Sequence, residues 1–364
     1  MMRKAKAFLF GMALLILLAV GGLVLPDREK SDLENRVLAS APAFSLSSFS
    51  DGRWTSSLET YTADQLPLRD AFVALYTSSE AALGFRASGG VILGSGRLFD
   101  RTDGWKERNV VLNARALSHL SELTGVPVYL LAVPSAAAVY PDQLPANAPM
   151  ADEEKLLASA EKETNLIPLL DSLRKETRDS DQNLFYRTDH HWTAAGARAG
   201  YLCACLALGL DPLPEEEYAV YPGFYGSFYS RFPLPWMGSD DFQYPLEEGE
   251  KLLVDGELLP GLLDRDAVEL RDKYAALLYG NHPYMEITND QAPEGRLFVI
   301  KDSYANALLP ALSRHYQCIT AVDARYFTGN VAEAVTSSKG EAVLCVYGLS
   351  TLSTGRTISL LNGL

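Results

Sequence analysis

Three apolar runs limit what this chain can fold into. Residues 126–133 are almost continuously apolar and stop at Pro134. Leu297-Phe298-Val299-Ile300 and residues 342–347 repeat the pattern. A strand wet on one face alternates polar and apolar positions; runs apolar at every position belong to strands covered on both faces. The intervening segments have helical spacing: 105–123, halted by Gly125; 152–164; 193–208, capped by Thr193; 303–316; and 331–337. Shorter strands are expected at 166–170, 184–186 and 318–322. Strand–helix alternation predicts an α/β, doubly wound, mostly parallel sheet with helices on both faces. At 364 residues, 48% hydrophobic and 21% charged, the chain can build one large domain of this kind with an insertion.

Other stretches break the rhythm. Residues 7–25 carry no charge and follow Arg3, Lys4 and Lys6. They read as an N-terminal transmembrane helix with the N-terminus inside, anchoring the chain in the cell membrane as a single pass. A cleaved signal peptide competes, although its nearest good cleavage site, Ala39-Ser40-Ala41, lies far downstream. Either reading puts the remainder outside the cytoplasm. Residues 27–50 are polar and mixed, as in a tether, and 51–83 are helical with a break across Asp64, Leu66, Pro67 and Arg69. Residues 89–100 read as a hairpin around Gly94-Ser95-Gly96. Residues 211–270 form an aromatic-rich insertion, read as a lid whose rings mostly pack the insertion itself while a few stack on sugars. The boundaries expected are therefore 1–26 for the anchor or signal, 27–88 for tether and helical lead-in, and 89–364 for the main domain.

Lys+Arg 32 against Asp+Glu 46 gives a net charge of −14, which repels nucleic acid. Cys203, Cys205, Cys318 and Cys345 have no zinc-type spacing and read as small buried hydrophobes; a Cys318–Cys345 disulfide is one possibility.

The chemistry concentrates in Thr188-Asp189-His190-His191-Trp192-Thr193. A carboxylate two residues before an imidazole can orient it and fix its tautomer, leaving a general base. The spacing favours His191 over His190. A nucleophile is expected in Lys301-Asp302-Ser303-Tyr304, at the end of a strand, where functional loops of such sheets gather. Ser303 at a helix start would also offer its own N–H to an oxyanion. Asp189, His190 and His191 with His282 are conceivable zinc ligands, but adjacent histidines rarely converge on one ion and HExxH is absent, so neither metal nor cofactor is expected.

With these motifs in view the sequence resembles the DHHW-motif proteins, relatives of the SGNH-hydrolase-like alginate O-acetylation proteins of the periplasm. The matching stretches are Glu34-Asn35-Arg36, residues 64–69, 91–99, 129–144, 186–196, 279–283 and 299–306. The resemblance implies an SGNH-hydrolase-like fold of circularly permuted order, in which Asp189 (orienting group) and His191 (base) precede Ser303 (nucleophile). Where SGNH enzymes commonly place Gly-x-Asn to complete the oxyanion hole, this chain has Gly348-Leu349-Ser350. Ser350 and Asn281 are the candidate replacements, with His190 and Tyr304 as further oxyanion or substrate contacts. The expected activity is extracytoplasmic serine-dependent O-acetylation of a cell-surface polysaccharide, and the resemblance implies a membrane-bound acyltransferase as acetyl supplier. An acetylesterase using the same residues, or a membrane-tethered glycan-binding protein without catalysis, are the alternatives.

Overall fold

The computed structural model describes residues 2–215, 217–246, 249–361 and 363. The chain divides into two compact units, residues 1–88 with 229–236 and residues 89–228 with 237–364.

The larger unit is built on eight strands: β1 (Val128–Val133), β2 (Asn165–Leu166), β3 (Glu250–Val254), β4 (Glu257–Pro260), β5 (Tyr284–Asn289), β6 (Arg296–Lys301), β7 (Cys318–Asp323) and β8 (Ala342–Gly348). They form one sheet in the order β4-β3-β5-β7-β6-β8-β1-β2. The β7/β6, β6/β8, β8/β1 and β1/β2 pairs are parallel, whereas β4/β3, β3/β5 and β5/β7 are antiparallel. The sheet is therefore mixed rather than mostly parallel. The insertion supplies the outermost antiparallel pair: Asp255-Gly256 takes φ 51° and 82°, with Val254 paired to Glu257. A two-residue Asp-Gly loop with both φ positive turns a strand straight back on itself, so this edge needs no crossover helix.

The apolar runs are buried on both faces, as their composition demands. Leu131, Val299, Leu344 and Val346 join one core with Trp192 and Tyr201; Leu130, Phe298, Ile300 and Val343 join the other with Val110 and Leu117 of helix Glu107–Thr124. Helix Glu153–Glu161 is capped by Asp152 and helix Ala194–Leu208 by Thr193. Helix Leu170–Asp179 stands where the sequence suggests the end of a strand.

Two further expected elements differ. Residues 184–186 form no strand; a single bridge joins Phe185 to Trp192, closing the chain back on itself within a loop. The helix expected over 303–316 is a short 3-10 turn, Ser303–Ala307, then a four-residue helix, Leu309–Leu312. Pro310, which has no amide hydrogen to donate, lies at that second start.

In the smaller unit, helices Arg53–Asp64 and Arg69–Ala82 flank the break seen in the sequence. Residues 27–50 carry more structure than a tether: Lys30–Ser31 pairs with Arg36–Val37. Arg36 donates to both oxygens of buried Asp64 at 2.8 and 2.5 Å, which holds that carboxyl down to about 2. Residues 2–24 are helical, with the side chains of Arg3, Lys4, Ala7 and several others outside the described residues. Among the described residues no helix is long and apolar enough to cross a membrane, so the expected transmembrane span is not supported.

Candidate active site

β6 is flanked by β7 and β8 and delivers Asp302-Ser303 at its carboxyl end. The Asp302 carboxylate accepts from Tyr304 N, Gly348 N and Thr351 Oγ1 at 2.9–3.0 Å. Asp302 therefore ties the end of β6 to that of β8, and its oxygens are spent on this anchoring. Ser303 opens its turn, where an N–H has no acceptor one turn earlier.

The loop that carries the histidines is held from several sides. Thr193 N donates to Leu184 O at 2.9 Å, and Tyr186 N to His191 O at 3.1 Å. Buried Arg97 donates to Asn183 Oδ1 at 2.6 Å. Asp240 accepts from Arg187 N and Nε and from Thr188 N and Oγ1. Asp189 and His191 are positioned by this web, not by a strand end.

The loop meets the strand end in an unbroken hydrogen-bonded series. Asp189 Oδ1 lies 2.5 Å from His191 Nδ1, and His191 Nε2 lies 2.8 Å from Ser303 Oγ. Asp189 Oδ1 also accepts from His191 N at 2.9 Å, and Oδ2 from Ser227 N at 2.6 Å. The Tyr274 ring stacks on His191 at 3.7 Å and 10°, while its hydroxyl donates to Ser303 O at 3.0 Å. Trp192 Nε1 donates to Tyr304 O, and Tyr304 Oη to His190 O. These bonds brace the two segments directly against each other.

The electrostatics match the geometry. Burial raises the Asp189 carboxyl, but His190 and His191 outweigh it and hold the group well below the usual carboxylate range. Burial, reinforced by His190, pushes His191 down to about 4 against the pull of Asp189. Burial would lower His190 too, yet Asp189 prevails and raises it. At neutral pH Asp189 is ionised and His191 neutral. With Nδ1–H committed to Asp189, the Nε2 lone pair faces the Ser303 hydroxyl. A hydroxyl, imidazole and carboxylate in this arrangement can take a proton off Ser303 Oγ as it becomes a nucleophile.

The structure thus brings Asp189, His191 and Ser303 together. His190 Nδ1 is turned to Ser227 Oγ at 2.9 Å and is not bonded to Ser303. Ser350 shares a small pocket wall with His190 and Tyr304. Asn281 Oδ1 accepts from Asn306 Nδ2 at 3.4 Å, with no hydrogen bond to Ser303 among the described residues. Asp189, His190 and His191 offer donor atoms within 4.8 Å of one another, but Asp189 already accepts from two amides and an imidazole. His282 Nε2 is directed at Leu278 O and Tyr279 O, both at 3.2 Å.

Several contributors escape the sequence. Tyr274 has no motif; it reaches His191 only through tertiary packing. A Cβ on Gly226 would stand 2.2 Å from Asp189 Cβ and 2.3 Å from Oδ2, so only glycine lets the insertion close on that carboxylate. Lys301, fully buried, lies 3.8 Å from Asp323, which also binds Arg325. Burial pushes its ammonium down to about 8. Of the insertion's aromatics, Phe224, Phe228, Phe232, Phe242 and Tyr244 are buried and pack, whereas Trp236 is 60% exposed.

Against known proteins, the model of the family described as "SGNH hydrolase-like domain, acetyltransferase AlgX" matches residues 104–220. No curated protein matches the chain. Among solved structures, a DHHW family protein from Eubacterium siraeum is 19% identical with a TM-score of 0.60, over 74% of this chain and 97% of that one. PatB1 of Bacillus cereus is 22% identical with a TM-score of 0.62, over 73% and 98%. The same PatB1 solved with a sulfonyl adduct is 20% identical with a TM-score of 0.60, over 72% and 97%. At such identities the likeness is one of fold. The mixed α/β sheet is SGNH-hydrolase-like, and the resemblance to the DHHW and alginate O-acetylation proteins read from the motifs is met again here.

Proposed function

We propose that the protein is a serine-dependent O-acyltransferase that carries an acetyl group onto a hydroxyl of a surface polysaccharide. The observation that carries this reading is the series Asp189–His191–Ser303, with contacts of 2.5 and 2.8 Å. The acetyltransferase description of the family model over residues 104–220 supports the choice of acyl chemistry, and the resemblance to polysaccharide O-acetylation proteins supports the acceptor.

In this reading His191 Nε2 takes the Ser303 proton as Oγ attacks the acyl carbonyl carbon. The tetrahedral intermediate collapses, the donor's leaving group departs with the proton from His191, and acyl-Ser303 remains. A glycan hydroxyl then gives its proton to His191 and attacks the acyl-serine; Ser303 recovers the proton as the new ester leaves. Asp189 stabilises the imidazolium formed in each half. The Ser303 N–H is the first oxyanion donor, and Ser350 is the candidate for the second. A membrane-bound acyltransferase is proposed as acetyl supplier, and the uncharged stretch 7–25 after Arg3, Lys4 and Lys6 motivates a location outside the cytoplasm.

The test is acetyl transfer from a soluble acetyl ester to a panel of glycans, read as O-acetylated product against free acetate. Ser303→Ala should abolish turnover. His191→Ala should be nearly as damaging, and Asp189→Asn should cost about 10⁴-fold through the wrong tautomer. His190→Ala should be milder. Wild-type turnover in Ser303→Ala would overturn the reading, and free acetate with every glycan would make the protein an esterase.

A further inference from the structure

We infer that a small pocket beside the site restricts the transferred acyl group to acetyl size, with Trp105 and Ala136 fixing that limit. The inference rests on the acyl-transfer reading above and adds the residues that select the group.

The pocket is walled by Trp105, Ala136, Phe228, Tyr304, His190 and Ser350. Two of these adjoin the reacting groups: Tyr304 follows Ser303, and the His190 ring lies 3.8 Å from that of His191. The room inside for water-sized groups is about 10 Å³, roughly one such group. A sugar ring cannot enter, but a methyl group can.

Part of the polar lining is already committed within the protein. Ser135, also at the wall, commits its hydroxyl to Glu153 and to Ala137 N. His190 Nδ1 is paired with Ser227, and Asp100, which also lines the pocket, has a partner of its own. Trp105, Val133, Ala136, Phe228 and Tyr304 line the rest with aromatic and methyl carbons, beside the Ser350 hydroxyl that is the candidate oxyanion donor.

The wall is also stiff. Tyr304 donates its hydroxyl to His190 O at 2.7 Å. Its ring lies so close to Gly348 that a Cβ there would stand 2.4 Å away. A wall that cannot retreat turns extra carbons into lost rate.

The experiment compares kcat/KM for p-nitrophenyl acetate and p-nitrophenyl butanoate, with Ser303→Ala as background. Wild type should prefer acetate by about 10- to 200-fold. Trp105→Ala, which removes a half-buried ring, should reduce that preference by about 10-fold or more. Ala136→Val, which fills the space, should depress acetate turnover by about 10-fold or more. Circular dichroism and melting curves check that each variant is folded. A folded Trp105→Ala with the wild-type preference, or a folded Ala136→Val with wild-type acetate turnover, overturns the pocket's role while leaving acyl transfer intact. No Ser303-dependent turnover of either ester overturns the acyl-transfer reading and the pocket's role with it.

Discussion

The Asp189 carboxylate is the most heavily constrained group in the site, and Gly226 is the reason it can be reached from two sides. With no side chain, Gly226 lets Ser227 N come within 2.6 Å of Oδ2. Gly226→Ala must displace either Asp189 or the insertion backbone. It should therefore lower kcat by about 10²-fold, as small misplacements of reacting groups do, with little change in KM and a folded protein by circular dichroism. Unchanged kcat would remove Gly226 from the account. The acid limb of kcat/KM follows from His191, which works as a base only when neutral. Because its pKa is pushed down to about 4, activity should persist below pH 6 and fall as the pH drops through about 4. A limb near 6.5, the value of an unperturbed histidine, would show that Asp189 fully offsets burial and His190. Asp189, His191 and Ser303 are legible in the sequence because spacing within a few residues and position after an apolar run are local signals. Tyr274 and Gly226 are not, because their roles exist only once distant segments meet.

At the scale of elements, β6 ends in a buried cation that its neighbours do not need. Lys301 Nζ is buried without a hydrogen bond, whereas Asp323 accepts three bonds from Arg325. Replacing Lys301 with Met removes a desolvation cost and leaves Asp323 paired, so Lys301→Met should be neutral or stabilising by about 1–4 kcal/mol. The folded-state pKa of Lys301 is depressed from 10.5 to about 8. Between those values the unfolded chain binds more protons, so wild-type stability from this group rises with pH. The advantage of Lys301→Met in melting temperature should be greatest below pH 8 and fade towards pH 10.5; a variant that melts well below wild type would show that the ammonium holds the strand end. Elements were readable where a pattern runs long. The apolar runs within β1, β6 and β8 and the Thr193-capped helix stand where composition predicts. The β3–β4 hairpin was hidden by the surrounding Pro- and Tyr-rich sequence despite its Asp255-Gly256 turn. Residues 184–186 look like a strand because apolar residues pack just as well in a loop pinned by Arg97 and Asp240.

At the scale of the whole molecule, the proposed location is the property most open to a direct measurement. Protease added to intact cells should digest the protein; protection until the membrane is broken would sink an extracytoplasmic site. The order of the parts along the chain has a further consequence, for biosynthesis. His191 and Ser303 are 112 residues apart, and the amide of Gly348 that anchors Asp302 comes later still. At about 5–20 residues per second, a ribosome exposes the imidazole roughly 6–22 seconds before the hydroxyl it will serve. Throughout that interval the nascent chain carries a base with no alcohol to activate, so the protein is chemically silent until almost all of it has been made.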